Sequence, residues 1–150
     1  MISNRQHAVP VSPRYLARAA ERTLVALGRT GARIEVALVD DGEIRRLNRA
    51  WRGVSRRTDV LAFPLETLEI GGLVGEVLIS AETAARQARC LGVPVAAELE
   101  LLVTHGVLHL AGYDDRDPVE AGLMHERERQ ILRSRGRRVP ARLWKGLLRA

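Results

Sequence analysis

The chain has 150 residues, of which 46% are hydrophobic and only 3% aromatic, with a formal net charge of +6. That length and apolar fraction suit one folded domain with an aliphatic core and exclude a disordered chain. The positive balance favours a polyanionic partner such as nucleic acid; a single cysteine, Cys90, excludes an internal disulfide.

In chain order, the first predicted element is a helix over "SPRYLARAAERTLVALG", with Ser12 as N-cap, Pro13 in the first turn and Gly28 at the end. The residues before it hold no apolar run of signal-peptide length. No run anywhere approaches the roughly 20 apolar residues that span a bilayer, so a soluble, cytoplasmic protein with no membrane partner is expected. "ARIEVALVD" alternates as a strand does. Asp40 or Asp41 then caps a short helix through "GEIRRLNRAWRG". "TDVLAFP" reads as a second strand stopped by Pro64, and "LETLEIGGLVGEVLIS" offers one or two more. The second half reads as helical. Ser80 caps "AETAARQARCLG", closed by Gly92, and within it Cys90 is expected to be buried and inert. "VPVAAELELLVTHGVLHLAG" begins near Pro94 and stops at Gly112. Asp117, Pro118 and Glu120 form a capping box for a last helix to about Arg135. Helix, strands, then a run of helices indicates an α+β fold: a single domain over residues 1–150, with a small mixed β-sheet packed against several α-helices.

Two of the four histidines, His105 and His109, stand four apart on one helical face. Side chains so placed can share one metal ion, and a donor beyond the helix-ending Gly112 can supply a third ligand. Three protein ligands leave a fourth position open, as in a catalytic zinc site. The same pair can also be two ordinary histidines on a core helix; the glycine and the carboxylates Asp114 and Asp115 just beyond it favour a metal site at the end of a central helix. Gly106 stands where a zinc peptidase carries its glutamate base, which argues against a peptidase.

"HGVLHLAGYDD" resembles the H-G-x-L-H-L-x-G-Y-D-H signature of the YbeY family of bacterial metal-dependent endoribonucleases. "LNRAWRGVSRRTDVLAFPLE" is similar to that family's N-x-x-Y-R-G-x-x-x-P-T-D-V-L-S-F-P stretch, "GEVLIS" to its G-D-I-x-I-S strand, and "EAGLMHERERQIL" to its E-A-x-x-M-x-x-x-E-x-x-I-L helix. The resemblance implies a zinc-dependent, single-strand-specific endoribonuclease acting in ribosomal RNA maturation, with ribosomal RNA or the ribosome as partner and no evident preference for DNA. It makes His105 and His109 metal ligands and puts Asp115 where the family has a third histidine. Asp114 and His125 are alternative third donors, and loss of tight metal binding is a further alternative. Otherwise Asp114 is expected to orient the loop or a ligand, and His125 to face solvent. Arg52 matches the arginine of the family's Y-R-G segment and would stabilise charge on the phosphate. Between Glu43 and Asp59 every charged residue is an arginine, and Arg49, Arg56 and Arg57 are the expected RNA contacts. A basic tail begins at about residue 136, read either as a solvated face or as further RNA-binding surface. An RNA-binding assembly factor with little catalysis is the rival reading.

Overall fold

The computed structural model describes residues 2–50, 59–64, 74–134, 136 and 138–148. Its elements run β1 (Ile2–Asn4), α1 (Pro13–Ala26), β2 (Arg33–Val39), α2 (Asp41–Ala50), β3 (Val60–Pro64), β4 (Val74–Ser80), α3 (Ala81–Leu91), α4 (Val95–Leu110) and α5 (Pro118–Arg133). A 3₁₀ turn (Ala141–Trp144) and α6 (Lys145–Leu148) follow. The expected α+β architecture is what is found. The sheet has the order β1-β2-β4-β3, with β1, β2 and β4 parallel and β3 antiparallel to β4. Pro64 ends β3 on the sheet edge, where a missing N–H breaks no ladder.

The period of two along each strand sorts side chains onto two faces. Ile34, Val36 and Leu38 of β2, Val60 and Ala62 of β3, and Val77 and Ile79 of β4 enter the main core with α1, α3 and α4. Ala37, Val39, Leu61 and Leu78 point the other way and are covered by Ile44 and Leu47 of α2. α4 is buried on nearly every side, from Glu98 to Leu108 without a break, and it carries Glu98, Glu100, Thr104 and His105 into the interior beside its leucines and valines. It crosses the sheet so closely that a Cβ on Gly106 would lie 2.5 Å from Val77 Cγ1. Gly106 is therefore a packing residue, and a glutamate cannot occupy that place on this backbone.

The helix caps follow the sequence. Ser12, Ser80 and Asp117 accept from backbone N–H groups in the first turns of α1, α3 and α5, and Asp40 does so for α2.

Several expectations are corrected. Cys90 is exposed, because α3 turns it away from the sheet while Ala81, Ala84 and Ala88 face inward. β1 adds a strand beyond those expected: three residues carry no periodic signal, and pairing with β2 makes them a strand. α5 stops at Arg133 rather than near Arg135. The segment after residue 136 is more than a basic tail: Leu143, Trp144 and Leu147 enter the main core. Its basic side chains Arg138, Arg142 and Lys145 remain exposed.

Candidate metal centre

His105 and His109 lie in the last turns of α4, and Asp115 lies on the loop that follows. Gly112 adopts φ +103, a left-handed conformation that favours glycine, and lets the chain double back. Asp114 braces the loop: one carboxylate oxygen accepts from the N–H groups of Asp115 (2.7 Å) and Arg116 (3.2 Å), while the other accepts from Arg116 Nε (2.9 Å). Asp115 is thereby turned back over the histidines.

The three side chains converge. His105 Nε2 and His109 Nε2 are 3.1 Å apart, and the Asp115 oxygens lie 3.4 Å from the first and 3.6 Å from the second. A tetrahedral ion with bonds of about 2.0–2.1 Å needs donors roughly 3.3–3.4 Å apart. Two imidazoles and a carboxylate at these separations fit a zinc-type ion in both geometry and chemistry.

Hydrogen bonds set which nitrogen faces the shared point. His109 Nδ1 lies 3.1 Å from the Tyr113 carbonyl oxygen, which can only accept, so Nδ1 carries the proton and Nε2 is the inward atom. His105 Nδ1 donates to Glu128 Oε2 at 2.6 Å. Both histidines thus have the outward nitrogen occupied and the inward one facing the shared point, the arrangement that orients metal-binding imidazoles. Glu128, in α5, is fully buried. Burial opposes its charge, but hydrogen bonds from His105 and His125 hold its pKa below the usual glutamate value. Burial likewise opposes a charge on His105, yet the hydrogen bonds and charges of Asp115 and Glu128 win and raise its pKa to about 9. The neighbouring imidazoles of His105 and His109 hold Asp115 well below the ordinary carboxylate range.

His125 was expected to face solvent. It is instead 6% exposed and donates from Nδ1 to Glu128 Oε1 at 2.7 Å, because its face of α5 packs on α4. Its ring neighbours His105 but is not among the converging donors. Glu128 carries no motif signal of a site residue, although its spacing from Met124, Ile131 and Leu132 puts it on the buried stripe of α5. Arg49 is exposed in the last turn of α2. Arg52, Arg56 and Arg57 lie outside the described residues.

Comparison with known proteins gives the family. A family model described as Endoribonuclease YbeY matches residues 1–136. The chain is similar to Endoribonuclease YbeY of Anaeromyxobacter dehalogenans, with 48% identity over 124 residues, 82% of this chain and 64% of that protein. It is 40% identical to the Geobacter metallireducens protein of the same name over 136 residues, 87% of this chain and 91% of that one. The chain spans less than two thirds of the length of the two Anaeromyxobacter relatives, 64% and 65%. A solution structure from Thermotoga maritima superposes with TM-score 0.57 at 27% identity, covering 98% of this chain and 91% of that one. With its family model matched from the first residue through α5, this chain belongs to the YbeY family.

Proposed function

We propose that the chain is a zinc-dependent endoribonuclease that cuts single-stranded RNA during ribosomal RNA maturation, with the cytoplasm as its setting. The observation that carries the reading is the convergence of His105 Nε2, His109 Nε2 and an Asp115 carboxylate at tetrahedral spacing in a chain whose relatives are named endoribonucleases. When bound, the ion acts as a Lewis acid on a phosphoryl oxygen or on water. The protein's part is to hold and orient. Glu128 and the Tyr113 carbonyl keep the two imidazoles in the ligating tautomer, and Asp114 sets the loop that carries Asp115. Arg52 would stabilise the negative charge that develops on the phosphate, and Arg49, Arg56 and Arg57 would grip flanking phosphates as bidentate forks.

A second reading, an RNA- or ribosome-binding assembly factor with weak catalysis, is favoured by the exposed arginines Arg45, Arg46 and Arg49 on α2 and by the carboxylate in the third ligand's place. Incubation of the purified protein with a single-stranded RNA, with and without chelator and beside His109→Ala, separates the two. Cleavage lost to both treatments supports the enzyme. RNA binding with no cleavage under any metal supports the assembly factor.

A further inference from the structure

Glu128 is where the C-terminal segment meets the metal centre. One carboxylate oxygen, Oε2, accepts from His105 Nδ1 at 2.6 Å. The other, Oε1, accepts from His125 Nδ1 at 2.7 Å and from the indole Nε1–H of Trp144 at 3.2 Å. Trp144 is itself held. It is 2% exposed, it sits in the main core with Leu143 and Leu147, and the Arg129 guanidinium lies over its ring at 5.1 Å. An indole N–H can only donate and an ionised carboxylate can only accept, so this hydrogen bond has a single polarity. Trp144 also lies beyond residues 1–136, the stretch that matches the family model.

We infer that Trp144 is a positioning residue of the metal centre, fixing the Glu128 carboxylate and through it the His105 ring. The inference rests on His105, His109 and Asp115 being the metal ligands. A carboxylate that accepts three hydrogen bonds has its plane set by them. Without the indole N–H, Oε1 keeps only His125, the carboxylate can rotate, and the His105 ring rotates with it. Each freedom gained in the metal-free protein must then be given up when an ion binds, which weakens binding without removing a ligand.

The test compares Trp144→Phe, which keeps an aromatic ring but has no donor, with Leu147→Ala, which loosens the same segment and leaves the indole N–H in place. Two readouts are taken at a temperature where all three proteins are folded. One is the exchange rate of the His105 Nδ1–H proton with water, followed by nuclear magnetic resonance on metal-free, histidine-labelled protein. The other is the zinc dissociation constant, measured by competition with a chromogenic chelator. Trp144→Phe should speed the exchange and weaken zinc binding about tenfold, the lower end of the effect of outer partners of metal ligands; Leu147→Ala should leave both near wild type. Equal exchange in the two variants, or unchanged zinc affinity in Trp144→Phe, overturns the inference. If wild type binds no zinc while the exchange difference persists, the metal reading fails and the link from Trp144 to His105 stands.

Discussion

His105 Nδ1 and Glu128 Oε2 lie 2.6 Å apart with both side chains fully buried, and they join α4 to α5 at the candidate metal centre. This pair orients the His105 ring, so its removal should reach the metal. Glu128→Gln keeps the shape and loses the charge; zinc affinity should fall about 10–100-fold, as when other outer partners of ligands are changed. Glu128→Ala leaves the donors of His105, His125 and Trp144 facing a void. It should cost about 3–5 kcal/mol in urea denaturation, as breaking other buried pairs does.

The raised pKa of His105 makes stability depend on pH. Its ordinary value is 6.5, and in the folded metal-free chain it is about 9. The stabilisation is therefore complete below 6.5 and is lost as pH rises through about 9. Asp115 works in the opposite sense: its lowered pKa contributes above the ordinary 3.8 and is lost as pH falls toward its folded value. Metal-free protein should have its highest urea midpoint between these limits and a falling midpoint from pH 7 to 9.5. Asp115→Asn removes one of the groups that raise His105 and should flatten the alkaline fall. An alkaline limb of equal steepness in both proteins would contradict the assignment.

The Asp115 oxygens lie 3.4 and 3.6 Å from the two imidazole nitrogens. Asp115→Ala should weaken zinc binding by more than the roughly 10–100-fold of an outer partner, whereas Asp115→His should retain it. Metal content after dialysis is the measurement; equal content in wild type and Asp115→Ala would remove Asp115 from the ligand set.

Gly106 tests the packing of α4 on the sheet. Alanine raises helix propensity by about 1 kcal/mol relative to glycine, but its Cβ would lie 2.5 Å from Cγ1 of Val77, a fully buried residue of a central strand. Overpacking of this kind costs about 1–3 kcal/mol. Gly106→Ala should therefore lower the urea midpoint, and a raised midpoint would mean that α4 can lift from β4 freely.

The parts of this fold that were legible in the sequence are those with local signals. Ser12 with Pro13, and Ser80, mark helix starts; Ile34, Val36 and Leu38 alternate; His105 and His109 share a helical face by spacing alone. Gly112 announced the turn that brings Asp115 back. What stayed hidden depends on contacts between distant segments. Glu128 and His125 sit in "HERERQ", whose charges look like a solvated face, and only the packing of α5 on α4 buries them. Trp144 was masked by the arginines around it, although Leu143, Trp144 and Leu147 carry the apolar spacing of a buried turn. Cys90 erred the other way, since an apolar neighbourhood in sequence did not reveal which side of α3 it occupies.

In the proposed function, one ion held by His105, His109 and Asp115 makes this chain cut RNA. The most direct test is to titrate metal-free protein with zinc while following cleavage of a single-stranded RNA. The rate should rise in proportion to added zinc and level off at one ion per chain. Cleavage at full rate without metal, or a break at any other stoichiometry, would contradict it.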